Sequence, residues 1–93
     1  MDQVVLEPTG VEAGARARWM VVIRNNDTNS QQEVIAVLIA ATGCPVEEAA
    51  TEVWEAEIYG KASVHYSSKE DCAAAAMIIQ SIGVVTDVVP EWE

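Results

Sequence analysis

The stretch Trp19-Met-Val-Val-Ile-Arg-Asn-Asn-Asp27 is followed by the polar segment 28–33 and the apolar run Val34-Ile-Ala-Val-Leu38. Residues 19–23 are β-branched and aromatic, which favours a strand, whereas the later run has the apolar spacing of a helix. Between strand and helix stand three adjacent short amide and carboxylate side chains. Such side chains turn the backbone, cap a helix, or face outward and accept hydrogen bonds from a cationic donor. The third role predicts a binding function.

The chain of 93 residues is strongly acidic, with a formal net charge of −10 and a pI near 4.3. Hydrophobic residues make up 51% of it, which is enough for one globular domain with a modest core. Its 5 Lys and Arg residues cannot neutralise a phosphate backbone, so we expect no nucleic-acid partner. An acidic surface instead attracts cations, basic peptides and free amino groups.

The sequence contains no apolar run long enough to span a bilayer, and residues 1–18 lack the apolar core of a signal peptide. We therefore expect a cytoplasmic protein with no membrane partner. Cys44 and Cys72 fit neither a zinc nor a redox spacing. Their spacing favours two buried free thiols over a disulfide.

The predicted elements follow the order β-α-α-β-α-β. Asn29 or Ser30 is placed to cap the first helix, and Gly43 suits its left-handed C-cap. Pro45 suits the first position of a second helix, which ends near Ile58. The later elements are a strand over 62–66, a helix over 70–81 that opens with the capping box Ser67-Ser-Lys-Glu70, and a strand over 84–89 ended by Pro90.

This order predicts a single α+β domain, in which three helices pack on one face of a three-stranded antiparallel sheet. Residues 19–89 would form this core. Residues 1–18 show little periodicity and predict a flexible arm, and residues 90–93 predict a short tail. The third helix has one apolar stripe, which comprises Cys72, Ala75, Ala76 and Ile79.

Glu57 is the most unusual residue of the second helix. Val46, Ala50 and Val53 recur at spacings of four and three, and Glu57 follows Val53 by four, so it continues the predicted buried stripe. A carboxylate there also lies at the negative end of the helix dipole, which is mildly unfavourable. Either Glu57 has a function, or the helix frays and its side chain reaches solvent.

The cluster of Asn25, Asn26 and Asp27 has two interpretations. Asn and Asp gather at turns, and most such clusters are only turns. However, the first apolar residue of the helix, Val34, comes well after Asp27, so more polar residues are present than a tight connection needs. This excess favours a binding role for some of them.

The sequence shows no pattern of a catalytic centre. His65 is the single histidine, expected at the surface of its strand opposite Val64 and Tyr66, with no Ser, Cys or Asp predicted beside it. The acid pair Glu47 and Glu48 lacks the spacing of a metal-binding loop. We therefore expect neither an enzyme nor a metal or cofactor site.

The succession of these elements resembles ClpS, the adaptor family that delivers N-degron proteins to the Clp protease. The resemblance covers about residues 19–85. Its anchors are Asn25, Asp27, Val34, Val37, Leu38, Val46, Glu47, Ala49, Gly60, Lys61, Ala62 and Glu70. The resemblance implies a small α/β sandwich of the order given above and a non-enzymatic adaptor, which we expect to be a monomer.

The resemblance also implies recognition of a free N-terminal residue. In ClpS, an Asn-Asp-Asp turn and a late histidine of the second helix hold the α-ammonium, while an apolar side chain enters a pocket between the first two helices. The positions that match the α-amino site are Asn25, Asn26, Asp27 and Glu57. The positions that match the side-chain pocket are Asn29, Gln31, Val34, Val53, Ala56 and Val84 or Val85. Glu70 matches the docking site for the Clp AAA+ unfoldase, which residues 1–18 would also engage.

Several positions depart from the family pattern. Asn26 replaces an Asp and Glu57 replaces the histidine, so one carboxylate leaves the site and another appears opposite. An ammonium donates three hydrogen bonds and needs acceptors, ideally one charged, so this exchange favours a functional Glu57. Gln31 and Val53 replace Met residues, which predicts a stiffer pocket that prefers Leu, Ile or Val over large aromatic side chains. In the docking region, Ala75 stands where the family usually has Lys.

Two alternatives from other functional classes remain open. One is a non-catalytic interaction module of the kind found at the acidic C-terminus of the ribosomal stalk protein, which would have no affinity for free amino termini. The other is a domain that senses free amino acids. Such a sensor would bind leucine as tightly as a leucyl peptide.

Overall fold

The computed structural model describes residues 18–25 and 28–91, which form three strands and three helices in the predicted order. The elements are β1 Trp19–Arg24, α1 Gln31–Thr42, α2 Val46–Tyr59, β2 Lys61–Ser67, α3 Lys69–Gln80 and β3 Thr86–Pro90. The predicted flexible arm lies outside the described residues except for Arg18, and so do residues 92–93 of the predicted tail.

The sheet is antiparallel, with β1 in the centre and the strand order β2-β1-β3. Successive side chains of a strand point to opposite faces, and those of Val21 and Ile23 face the core, where each is at most 1% exposed. All three helices contribute side chains to this core. The predicted α+β architecture is therefore confirmed.

An irregularity in β2 changes the side on which its histidine lies. Val21 of β1 pairs with His65, but the next residue, Val22, pairs with Ser63, so Val64 is an extra residue in a β-bulge. Val64 is 3% exposed in the core. His65 is the cross-strand partner of the core-facing Val21, and paired residues share one face of the sheet, so His65 lies on the core face as well. The expectation that Val64 and His65 occupy opposite faces is therefore wrong, because simple alternation does not hold across a bulge.

Helix α1 is capped at both ends by its own sequence. The Ser30 hydroxyl accepts a hydrogen bond from the Glu33 backbone N–H at 3.1 Å, and the Glu33 carboxylate accepts one from the Ser30 N–H at 2.9 Å. This capping box satisfies two backbone donors and selects Ser30, not Asn29, as the cap. Gly43 has φ 74° and ends the helix as predicted.

Helix α2 buries a different face from the one predicted. Its buried residues are Ala49, Glu52, Val53 and Ala56. Val46, which the predicted stripe included, is 54% exposed, and Ala50 is exposed as well. The helix does not fray at Glu57 but continues to Tyr59, where Gly60 ends it with φ 87°. Pro45 occupies the N-cap, one position before the predicted one.

Helix α3 begins one residue earlier than predicted. Ser68, not Ser67, is its N-cap, and the Ser68 hydroxyl accepts a hydrogen bond from the Asp71 backbone N–H at 3.1 Å. Either serine stands three residues before an acid, Ser67 before Glu70 and Ser68 before Asp71, so the sequence pattern alone does not distinguish them. The predicted stripe is confirmed as the buried face: Cys72, Ala75, Ala76 and Ile79.

The two cysteines are free thiols in different surroundings. Cys72 is 0% exposed, and burial raises the pKa of its thiol. Cys44 is partly exposed in the connection between α1 and α2, so the expectation that it is buried is wrong. None of the helices in the described ranges is long and apolar enough to cross a bilayer.

Glu52 is a carboxyl group within the buried face of α2. The residue is 9% exposed, and its Oε1 atom has no hydrogen-bond partner among the described residues. Burial is the main cause that raises the pKa of Glu52 to about 8, and the nearby Glu48 and Glu55 carboxylates add to the effect. From outside the helix, Arg18, Cys44 and His65 line the same cleft.

We expect Glu52→Gln to stabilise the protein at pH 8 and to have little effect near pH 4.5. Below the ordinary pKa of 4.5, folded and unfolded chains both carry the proton, so the substitution changes little. Between pH 4.5 and about 8 the unfolded chain releases a proton that the folded chain retains, and stability falls across this window. Urea unfolding at the two pH values should show a gain of roughly 1–3 kcal/mol at the higher one.

The matched control is Glu47→Gln, which removes the same formal charge from an exposed position of α2. It separates relief of burial from relief of general charge repulsion in an acidic chain. Equal stabilisation by both substitutions would contradict the explanation based on burial.

Candidate functional site

A cleft lies between the end of β1, the start of α1 and the last turns of α2, and it encloses about 310 Å³, part of it open to solvent. Its lining residues are Ile23, Arg24, Asn25, Asn29, Gln31, Val34, Val53, Ala56, Glu57 and Val84. These residues come from four separate parts of the chain. Only the folded arrangement brings them together.

The base of the cleft is apolar and continuous with the core. Ile23, Val34, Val53, Ala56 and Val84 are each at most 7% exposed. Three of the five carry the stiff, β-branched side chain of valine, so the wall at the base has few alternative rotamers. Such a base fits an apolar group of defined shape.

The end of β1 is fixed at the rim by backbone hydrogen bonds. The N–H of Asn25 donates to the carbonyl of Gly60 at 2.9 Å, which ties it to the residue that ends α2. The N–H of Arg24 donates to the carbonyl of Val85 at 3.0 Å, which ties the same strand end to the segment before β3. Asn25 therefore stands at a position that two neighbouring elements determine.

Gln31 and Glu57 close one side of the rim. The Gln31 amide nitrogen donates to both carboxylate oxygens of Glu57, each at 2.8 Å. This contact joins the first residue of α1 to the last turn of α2. A carboxylate has about four lone-pair sites, so Glu57 keeps capacity for further donors. Glu57 is exposed at the mouth of the cleft, which corrects the expectation that it ends a buried stripe.

Among the charged groups of the rim, the Glu57 carboxylate is an acceptor that faces solvent. Arg24 is a cation of the lining, but its guanidinium is held by Asp87 of β3, with contacts of 3.0 and 3.1 Å. The side-chain amide of Asn29 donates to the Glu33 carboxylate at 3.4 Å. The arrangement suits a ligand that combines an apolar group with a cationic donor, because the apolar base and the carboxylate of Glu57 are adjacent.

The cleft unites every described residue of the predicted α-amino site and side-chain pocket: Asn25, Asn29, Gln31, Val34, Val53, Ala56, Glu57 and Val84. Of the two valines considered for the far wall, Val84 lines the cleft, whereas Val85 does not and is 60% exposed. Asn26 and Asp27 lie outside the described residues. Glu70 is exposed in the first turn of α3 and does not line the cleft.

Two residues that line the cleft, Ile23 and Arg24, were not predicted from the sequence. The available signal was their position, since they directly precede Asn25 on a strand whose alternate residues face the helices. His65 lies away from this cleft, and its Nε2 contacts a carboxylate oxygen of Asp71 at 2.9 Å. The expectation that no Asp lies beside it is wrong, because α3 returns Asp71 to the strand. This hydrogen bond is the main cause that lowers the pKa of Asp71.

Comparison with known proteins gives matches of two kinds, to a family model and to solved structures. Residues 15–83 match the family model described as ATP-dependent Clp protease adaptor protein ClpS. The fold is similar to that of Agrobacterium tumefaciens ClpS2 bound to L-phenylalaninamide, with a TM-score of 0.75 and 18% identity over 81% of this chain and 98% of that one. No curated protein matches the sequence. Since the family model spans most of the sequence, the chain belongs to the ClpS family of Clp protease adaptor proteins.

Proposed function

We propose that this protein is an N-degron adaptor that binds the free α-amino group and apolar side chain of an N-terminal residue and delivers the substrate to a Clp AAA+ unfoldase. Family membership supports the adaptor role. The observation that carries the binding proposal is the adjacency of an apolar base and the Glu57 carboxylate in one cleft. The adaptor would bind the substrate and transfer it to the unfoldase, with no covalent step.

An α-ammonium fits the polar rim by its hydrogen-bonding capacity. It has three N–H donors and one positive charge. Glu57 would supply the charged acceptor and Asn25 a neutral one, and Asn26 and Asp27 remain proposed acceptors from the sequence. Each charge-assisted hydrogen bond contributes about 1.5–3 kcal/mol, which makes the free amino group a major part of the affinity.

The apolar base would receive the first side chain of the substrate. Burial of a Leu-sized side chain contributes about 1.5–3 kcal/mol. ClpS2, which shares the fold, is bound to L-phenylalaninamide, a ligand with an aromatic side chain. In this chain Val53 is β-branched and Gln31 is tied to Glu57, so the wall has little freedom to adapt. We therefore propose a preference for Leu, Ile or Val.

Delivery to the unfoldase is proposed from the family and from the start of α3. Glu70 is exposed there and available to a partner protein. Ala75 is only 3% exposed in the core, so it cannot contribute to an exposed docking surface. Residues 1–18, which we propose as a second contact with the unfoldase, lie outside the described residues except for Arg18.

A peptide that begins with Leu should bind with a micromolar Kd, and its N-acetylated twin should not bind detectably, because acetylation removes the charge and two donors. Glu57→Gln should weaken binding of the free peptide by on the order of tenfold through loss of the charged acceptor. Isothermal titration calorimetry measures both effects. Glu47→Gln, at the far end of the same helix, is the control and should bind as the wild type does.

The same titration separates the proposal from its two rivals. Equal affinity for free leucine and the leucyl peptide would favour an amino-acid sensor. Absence of binding to both the Leu-first and the Phe-first peptide would favour the interaction module. Binding that survives acetylation would show that the amino group is not recognised.

The preference for aliphatic residues predicts that a Leu-first peptide binds more tightly than a Trp-first peptide of the same following sequence. Val53→Ala should shift the ratio of the two affinities toward Trp by several-fold, because it removes two methyl groups from the base. Competition against a fluorescent Leu-first peptide gives this ratio directly. Tightest binding of the Trp-first peptide by the wild type would refute the preference while leaving the adaptor function intact.

A further inference from the structure

A further cleft, with a polar lining, lies toward the start of α2, away from the cleft that contains Glu57. Its volume is about 610 Å³, part of which is open to solvent. The polar residues that line it include Arg18, Cys44, Glu48, Glu52 and His65. This cleft plays no part in the proposed recognition of an N-terminal residue. Its side chains nevertheless include a thiol and two carboxyl groups.

Three of these side chains bring their donor atoms together. Cys44 Sγ and one carboxyl oxygen from each of Glu48 and Glu52 lie within 4.8 Å of one another. Glu48 and Glu52 are four residues apart on α2 and therefore share one face of the helix. Cys44 is four residues before Glu48, and Pro45, the N-cap of α2, directs the chain so that the thiol meets the same face.

An independent observation concerns one buried oxygen of Glu52, whose side chain also contacts the Glu48 carboxyl group. Glu52 is 91% buried, since its exposed fraction is 9%, and Oε1 has no hydrogen-bond partner among the described residues. A buried carboxyl oxygen without a hydrogen-bond partner is unfavourable whether or not the group is ionised. Glu48 and Glu55 add negative charge around it. A cation in the cleft would satisfy all of these groups at once.

We propose that Cys44, Glu48 and Glu52 bind one Zn²⁺ ion. A thiolate with two carboxylates is a donor set for a borderline ion, because Ca²⁺ and Mg²⁺ prefer oxygen ligands alone. In tetrahedral zinc the distance between a sulfur and an oxygen ligand is roughly 3.5 Å. Donors already within 4.8 Å of one another need only small rotations, chiefly of the exposed Glu48. A fourth ligand would come from solvent.

The remaining charged groups of the cleft have other partners. The Arg18 guanidinium lies 3.4 Å from a carboxylate oxygen of Glu91, and Nε2 of His65 contacts Asp71. His65 does not belong to the group of donors that lie within 4.8 Å of one another. The ion would therefore be held by α2 and the residue just before its cap, and its binding is independent of peptide recognition.

The test is a calorimetric titration of the reduced full chain with ZnCl₂, which should give one site per chain. Cys44→Ser and Glu52→Gln should each weaken binding at least about tenfold, whereas Glu47→Gln should change it less than about twofold. Co²⁺ should give the absorption band of a thiolate-to-metal charge transfer, and Cys44→Ser should abolish this band. Cys72 cannot supply the thiolate, since it is fully buried.

Zinc should also raise the Tm of the wild type and of Glu47→Gln, but not that of Glu52→Gln. Melting curves of the metal-free variants show that each is folded, and Cys44→Ala provides a second variant if the serine is poorly tolerated. Absence of saturable binding, or zinc binding that persists in both Cys44→Ser and Glu52→Gln, would overturn the proposal. A proton shared between Glu48 and Glu52 would then account for the unpartnered oxygen.

Discussion

The close packing of α2 against its neighbours is the constraint on which the other features depend. Ala49 is 0% and Ala56 is 4% exposed, and such small side chains allow the helix to approach α1 and β2 closely. At one end of α2 this approach brings Glu57 within 2.8 Å of Gln31. Near the middle of α2 it carries Glu52 below the surface. The packing of α2 thus shapes the rim of the cleft beside Glu57 and also buries a carboxyl group.

The elements that were predicted most accurately are those with local determinants. Gly43, predicted as the left-handed cap of α1, acts within one turn of chain, and Ser30 was one of the two predicted N-caps of the same helix. The buried face of α2 has a non-local cause. Because Glu52 belongs to that face, an apolar pattern necessarily omits it and selects Val46 instead, which is 54% exposed. Tertiary packing, and not side-chain polarity, decides which residues are buried there.

The residues that line the candidate cleft were predictable for a different reason. Spacing alone left Glu57 and Asn25 ambiguous, and the resemblance to ClpS supplied the residues of the pocket wall. A resemblance between sequences identifies matching positions but does not predict which side chains touch. The Gln31–Glu57 hydrogen bond was therefore not predicted, although both residues were named. The cluster at Cys44 had a visible signal, its spacing of four to Glu48. It was missed because Cys44 precedes Pro45, where the helical period was not expected to continue.

The two ends of α2 should act independently. The two clefts share no lining residue. Glu52, the proposed zinc ligand nearest to Glu57 along the chain, comes five residues before it, a rise of about 7.5 Å and a rotation of about 140° around the helix axis, so the two side chains leave α2 on different sides. The rise is about one Debye length of roughly 8 Å at physiological ionic strength, so salt screens part of the effect of a zinc ion on Glu57. The apolar base of the cleft beside Glu57, with Val34 and Val84, belongs to the core and does not line the cleft that contains Cys44 and Glu52. Failure of either binding proposal would therefore leave the other standing, since the two share a helix but no side chain.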